Sequence, residues 1–269
     1  MIKKILTFFL TLAVLTHANA QDAYRTHSIA IGAGWANVLD TYLSPFDYKG
    51  SNIRLSWNTE RNVKTFGIKD IEFNTILNAD CSFIKSPAKN VDEYSGGARF
   101  AATWLKQLTI IKPGQTTLTL SAGPMLSAYL GAIYNERNGN NPAQAKADIM
   151  LDIAAKARWN FKCLNKDMSL QYILAVPLAG IAFSPDYGQS YYEAFGLNNY
   201  DHNVVFANFT NMPSARHAIY LDCQISKKSK NAIRIGYEGF FMQSKFNNIR
   251  YHAYTNSFMI GITKYFKRI

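Results

Sequence analysis

The strongest constraint on this chain is an alternation of apolar and polar residues, two residues per period, that recurs along almost its whole length. A period of two belongs to an extended strand with unlike faces, whereas an amphipathic helix repeats its apolar residues every three or four positions. Ile53, Leu55 and Trp57 alternate with Arg54, Ser56 and Asn58, and Ile71, Phe73, Thr75, Leu77 and Ala79 with Glu72, Asn74, Asn78 and Asp80. Leu118, Leu120 and Ala122 face away from Thr117, Thr119 and Ser121. The series Ile149, Leu151, Ile153, Ala155, Ala157, Trp159 and Phe161 stands against Asp148, Asp152, Lys156, Arg158 and Asn160. Leu170, Tyr172, Leu174, Val176 and Leu178 continue the theme, as do Leu221 and Cys223 around Asp222, and Ile233, Ile235 and Tyr237 around Arg234 and Glu238. Helical periodicity of comparable length is absent, so the chain reads as all-β.

Ten strands are predicted, at 26–36, 51–60, 66–83, 96–111, 116–134, 148–162, 168–183, 217–226, 231–245 and 252–266. A hairpin around 203–209 would raise the number to twelve. Several segments exceed the ~9–11 residues that a tilted strand needs to cross a bilayer. Connections after even strands are short (Asn62-Val63, Lys112 to Gln115, Leu164 to Asp167, Lys227 to Lys230). Those after odd strands are mostly longer, at 37–50, 84–95, 135–147 and 184–216, with 246–251 the exception. An even strand number, loops sorted by parity and both chain ends on the short-turn side describe an up-and-down transmembrane antiparallel β-barrel.

Alternation alone fits a soluble barrel as well, with its apolar face turned inward. The distribution of charge favours the inverted arrangement. The polar faces carry both signs on neighbouring strands: Arg54, Arg99, Lys156, Arg158 and Arg234 against Glu72, Asp80, Asp152, Asp222 and Glu238. Charges so placed can pair across a narrow interior, and these ten form the candidate lumen network. They would either fill the interior as a polar plug or line a narrow path for a small solute.

Near the short-turn ends stand Trp57, Trp104, Trp159, Phe161, Tyr265 and Phe266, where an interfacial aromatic girdle belongs. The same ends hold Arg61, Lys64, Lys112, Lys162, Lys166, Lys227, Lys228, Lys230, Lys267 and Arg268 against only Glu60 and Asp167. That basic rim suits outer-membrane lipid with anionic headgroups. Stacking aromatics on a basic module, as nucleic-acid binding requires, are not found, so no nucleic-acid partner is expected.

At the N-terminus, Lys3 and Lys4, the apolar stretch Ile5 to Leu15 and Ala18-Asn19-Ala20 make a secretory signal peptide over 1–20. Residues 21–269 then form one outer-membrane barrel domain, delivered to the bacterial outer membrane. With 48% apolar and 17% charged residues the chain has too much to bury to be disordered.

Catalytic signals are thin. Asp201-His202, in the longest loop, invites comparison with outer-membrane proteases, but adjacent side chains in an extended loop diverge, whereas a base and its orienter must converge. A membrane-embedded hydrolase with its site at the barrel mouth is therefore the alternative to a structural, binding or narrow-conductance barrel. No glycine-rich phosphate cradle or clustered His/Cys spacing is present, and Cys81, Cys163 and Cys223 are widely separated, so neither cofactor nor metal is expected. The loop over 184–216 mixes Tyr187, Tyr191, Tyr192 and Tyr200 with Asn198, Asn199, Asn203, Asn208 and Asn211, a composition suited to an extracellular ligand.

The segment Asn37-Val38-Leu39-Asp40-Thr41-Tyr42-Leu43-Ser44-Pro45, followed by Tyr48 and Gly50, resembles the first-loop signature of a family of uncharacterised Gram-negative outer-membrane barrels. Signal peptide, length and strand rhythm extend the resemblance over most of the chain. It implies the barrel fold and no activity. The chain departs from the usual barrel ending, since its last residue is Ile269 and the nearest aromatic is Phe266.

Overall fold

The computed structural model of the protein describes residues 25–65, 68–139, 141–200, 202–226 and 229–266. The leader over 1–20, Asp201, Lys227, Lys228, Lys267, Arg268 and Ile269 lie outside the described residues. The alternating segments form long strands: β1 (Arg25–Asp40), β2 (Ser44–Thr65), β3 (Ile68–Lys85), β4 (Asp92–Ile111), β5 (Thr117–Asn135), β6 (Ala143–Cys163), β7 (Lys166–Phe183), β8 (Val204–Asn208), β9 (Ser214–Gln224), β10 (Asn231–Phe246) and β11 (Ile249–Tyr265). Each pairs antiparallel with its neighbours, and β11 returns to β1 from Thr26↔Tyr265 to Asp40↔Tyr251. The result is a closed antiparallel barrel of ten strands.

Strand β8 does not add a hairpin. It pairs with the upper part of β7 (Phe183↔Val204 to Ala179↔Asn208), while β9 pairs with the lower part (Ala175↔Arg216 to Met168↔Cys223). The two are one wall strand interrupted by an excursion over 209–213, so the ring stays at ten rather than twelve. Local chemistry builds the excursion: the Asn208 Oδ1 accepts hydrogen bonds from Thr210 N at 2.8 Å and Asn211 N at 3.2 Å, and Asn211 Oδ1 accepts from Asn208 N at 2.8 Å. These short side chains substitute for the ladder bonds that the bulging backbone gives up.

Two further expectations are corrected. The stretch over 37–50 is mostly strand, and only 41–43 link β1 to β2. Likewise the region over 184–216 contains β8 and the start of β9, together with a single π-helical turn at Tyr192–Gly196. Tight hairpins use left-handed residues, as their twist demands: Leu164 and Asn165 between β6 and β7, and Asn247 and Asn248 between β10 and β11, all have positive φ.

The outer face of the barrel is apolar. Ile29, Ile31, Ile53, Leu55, Leu151, Ile153, Ile233, Ile235, Ile260 and Ile262 are exposed there, while their polar neighbours Ser28, Arg54, Asp152 and Arg234 are buried inside. Aromatic rings gather at both ends of this band. At the short-turn end Phe73 lies 5.3 Å from Trp104 and Trp159 4.7 Å from Phe161, with the Arg61 guanidinium 5.0 Å over Phe73. At the other end Trp35, Tyr237 and Phe258 cluster, and Phe83 meets Tyr94 edge-on at 6.0 Å. Tyr265, expected in the first girdle, instead turns inward and lines the mouth at the short-turn end.

Candidate functional site

The candidate site is the barrel lumen, which divides along its axis into three levels. Nearest the short turns is a layer of ion pairs. Lys156 Nζ lies 2.6 Å from Glu60 Oε1 and 2.7 Å from Glu72 Oε1. Arg158 spans the same two carboxylates, reaching Glu60 and, at 3.2 Å, Glu72 Oε2. Beside them Arg234 forks onto Asp222, with Nε and Nη2 each 2.7 Å from a carboxylate oxygen, and its Nη1 donates to Ser28 Oγ at 2.7 Å. Thr263 Oγ1 completes the shell of Asp222 at 2.8 Å. A planar guanidinium presents two donors at the spacing of two carboxylate oxygens, which is why arginine serves here.

Register explains the convergence. Arg234 and Asp222 are cross-strand partners between β10 and β9, so their side chains leave the sheet on the same face. Glu60 and Glu72 sit on β2 and β3 and meet Lys156 and Arg158 from β6 across the barrel. Glu60, expected among the rim residues, is 3% exposed and belongs to the interior.

The middle level holds a chamber of about 120 Å³. On its walls Arg54 Nη1 lies 3.6 Å from Glu238 Oε2, and Arg99 forks onto Asp148 at 2.7 and 2.8 Å. Arg216 pairs with Asp152, and the Tyr220 hydroxyl donates to Glu238. Asp80 faces the chamber but touches neither Arg54 nor Arg99 within ion-pair distance among the described residues. Glycines make room for the rings: a Cβ on Gly236 would stand 2.2 Å from Tyr220, so only glycine permits the tyrosine to lie against that strand.

At the upper level, near the long loops, the lumen becomes apolar. Val38, Ile84, Ile133, Met150, Ala182, Met242 and Ile249 point inward and pack with Tyr42 and Leu43 from the β1–β2 link and Met212 from the 209–213 excursion. The expectation that the polar face looks toward the axis therefore fails here. One buried ionic contact pins the lid: Lys146 Nζ lies 2.7 Å from Asp40 Oδ2, while Asp40 Oδ1 accepts from Tyr42 N at 3.0 Å. The Tyr42 hydroxyl donates to the Gln189 carbonyl at 2.7 Å, tying the link to the long loop, and Asn138 Nδ2 donates to the Leu43 carbonyl at 3.1 Å. The Asn37–Pro45 segment is thus the end of β1, a buried turn and the start of β2.

Of the ten residues expected in the lumen network, Arg54 meets Glu238, Asp222 meets Arg234, and Glu72 meets Lys156 and Arg158. Arg99 and Asp152 find partners that were not among the candidates, Asp148 and Arg216, and Asp80 meets no charged partner directly among the described residues. The missed residues carried readable signals only in part. Asp148 sits in phase with Asp152 on β6, but Arg216 lies where the sequence reads as loop, and Glu60 adjoins a basic turn.

The loop over 184–203 is knitted by its own amides. Asn203 Nδ2 donates to Gln189 Oε1 at 2.7 Å and Gln189 Nε2 to the Asn199 carbonyl at 2.6 Å. Glu193 accepts from Ser190 N at 2.7 Å and from Ser190 Oγ at 3.0 Å, which holds its carboxyl below the ordinary glutamate range. His202 contributes its backbone carbonyl, accepting from Asn247 Nδ2 at 2.9 Å. An acid–histidine contact does occur between Asp47 and His252, at 3.2 Å, but His252 stacks flat on Tyr254 on the outer wall, away from the lumen.

Comparison with solved structures returns barrels at very low identity. The outer-membrane protease OmpT from Escherichia coli is 9% identical, with a TM-score of 0.47 over 93% of this chain and 100% of its own. The transport unit of the autotransporter AIDA-I from Escherichia coli is 7% identical, with a TM-score of 0.37 over 95% and 97%. A FadL homologue from Pseudomonas aeruginosa is 8% identical, with a TM-score of 0.29 over 90% of both chains. At these levels the likeness carries no functional argument. No curated protein matches. A family profile described as "Protein of unknown function (DUF3316)" matches residues 3–269, and the chain belongs to that family.

Proposed function

We propose that the chain is an integral barrel of the bacterial outer membrane with a closed lumen, working as a binding or structural protein and not as an open pore. The outward apolar band, bounded by aromatic rings at both ends, suits a hydrocarbon slab between two interfaces. Ring closure leaves no sheet edge exposed to lipid, which the bilayer core requires. The short-turn end, with Lys112, Lys162 and Lys166, then faces the periplasm and its anionic headgroups, and the long loops face outward from the cell.

The observation that carries the closed-lumen reading is that two unlike barriers cross the barrel in series. An entering ion meets first the apolar lid around Ile84, Ile133 and Met150, and then the paired charges around Lys156 and Arg234. Ten strands give an interior that side chains fill, whereas open aqueous channels belong to barrels of about 16 strands or more. Planar-bilayer recording of the refolded protein tests this. The expected record is a flat baseline, and steady ohmic steps would overturn the reading.

A further inference from the structure

We propose that the chamber midway along the lumen is a binding site for a small organic cation, a primary ammonium on an apolar body of about benzene size. The inference rests on the closed-barrel reading for the isolation of the chamber from bulk solvent. Its first support is a charge count. Three guanidiniums on or beside the walls approach three carboxylates: Arg54 lies 3.6 Å from Glu238, Arg99 forks onto Asp148 and Arg216 pairs with Asp152. A fourth carboxylate, Asp80, is aimed into the same space and has no direct partner among the described residues. Its cross-strand neighbour Arg54 turns its guanidinium toward Glu238 and Thr255 instead. The chamber region therefore holds one more carboxyl group than guanidiniums, and among the described residues no positive side chain contacts it, so a cation brought beside it would supply the missing partner.

The second support is the lining. Between the charges the wall is apolar, built from Ile76, Ala101, Met125, Ile173, Ala175 and Ala218. Tyr129 and Phe240 already stack under a cation, the Arg99 guanidinium, at 4.8 and 5.6 Å, so the chamber is furnished with rings whose faces attract positive charge. Size supplies the third. The chamber volume of about 120 Å³ compares with a cavity of ~150 Å³ known to hold one benzene molecule. A carboxyl group without a contacting cation, greasy wall around it and room for one ring match an arylmethyl or short alkyl ammonium.

The test uses 4-fluorobenzylammonium and its neutral counterpart, 4-fluorobenzyl alcohol, followed by fluorine NMR. The full chain is refolded into detergent micelles with the probe present from the denatured state, so the lid over the chamber does not bar entry, and empty micelles give the background. The expected result is saturable one-site binding of the ammonium, with the alcohol about tenfold weaker or worse, as loss of a charge-assisted contact implies. Asp80→Asn should weaken the ammonium by a similar factor, and Ala101→Phe, which fills the chamber and keeps Asp80, should abolish binding. If Asp80→Asn fails to refold, the alcohol and Ala101→Phe decide the matter. No saturation above empty micelles, equal affinity for the two probes, or binding unchanged in Ala101→Phe would each overturn the proposal. A silent titration beside a flat bilayer record would remove the site and leave the closed barrel standing.

Discussion

The two ends of the lumen are closed by opposite chemistries. Toward the short turns the plug is ionic: Lys156, Arg158 and Arg234 are held against Glu60, Glu72 and Asp222, with hydroxyls and side-chain amides adding further hydrogen bonds. Toward the long loops it is greasy: Ile84, Ile133 and Met150 pack under Tyr42, Leu43 and Met212. The difference teaches that the inside of a narrow barrel need not be uniformly polar. Where wall strands face one another at lumen width, charges can reach partners across the axis. Where loops fold back over the mouth, apolar side chains from both sources bury each other as in a soluble core.

The comparison predicts that one plug answers to charge and the other to volume. The largest effect belongs to the ionic end. Asp222→Ala should destabilise the barrel by about 3–5 kcal/mol in urea unfolding from lipid vesicles, because Arg234 keeps its charge and loses its fork. Asp222→Leu combined with Arg234→Met should recover most of that loss, since removing both charges removes the burial penalty. A single variant no worse than an ordinary surface change would mean that water reaches the layer.

Next comes the greasy end. Ile133→Ala, at a site 1% exposed, should cost about 2–4 kcal/mol by the same measurement, through lost transfer energy and an unfilled cavity. Met150→Leu, which conserves volume, should cost less than about 1.5 kcal/mol. Equal losses for the two would contradict a packed lid.

A smaller effect is expected where the lid is tied to the loop. Tyr42→Phe removes the hydroxyl bonded to the Gln189 carbonyl, worth about 1 kcal/mol locally. Amide exchange should quicken around residues 41–43 and 186–190 while the strands stay protected.

The smallest concerns pH at the exposed loop. The Glu193 carboxyl lies below its ordinary value of 4.5 because it accepts two bonds from Ser190. A depressed folded value means that these contacts contribute fully above that ordinary value and are lost as pH falls through the lower, folded one. Exchange of the amides around Ser190 to Glu193, corrected for its intrinsic rate, should be constant down to pH 4.5 and accelerate below it. No change in acid would show that the Ser190–Glu193 contact does not form.

Legibility followed periodicity. The ionic plug could be read in outline because Lys156, Arg158, Asp222 and Arg234 interrupt apolar series at even spacing. The greasy lid could not, because Ile84, Ile133 and Met150 send the same signal whether they meet lipid or lumen. Phase was obscured further in β7: Leu151 pairs with Ala179 and Asp152 with Pro177, leaving Leu178 as an extra residue. Beyond that bulge the inward set shifts from Gln171, Ile173 and Ala175 to Gly180 and Ala182, a change no pattern over the strand announces. The chamber escaped for a related reason, since its walls come from strands far apart in the chain.

The sequence by itself determined the strands, their alternation and the opposed charges on their polar faces, because a strand's two sides are set by local geometry that each residue obeys independently. Only the tertiary structure decided which charges meet, where the lumen turns apolar and that Asp80 has no contacting cation among the described residues. Those outcomes depend on distances across a closed ring, and such distances exist only once β11 has paired with β1.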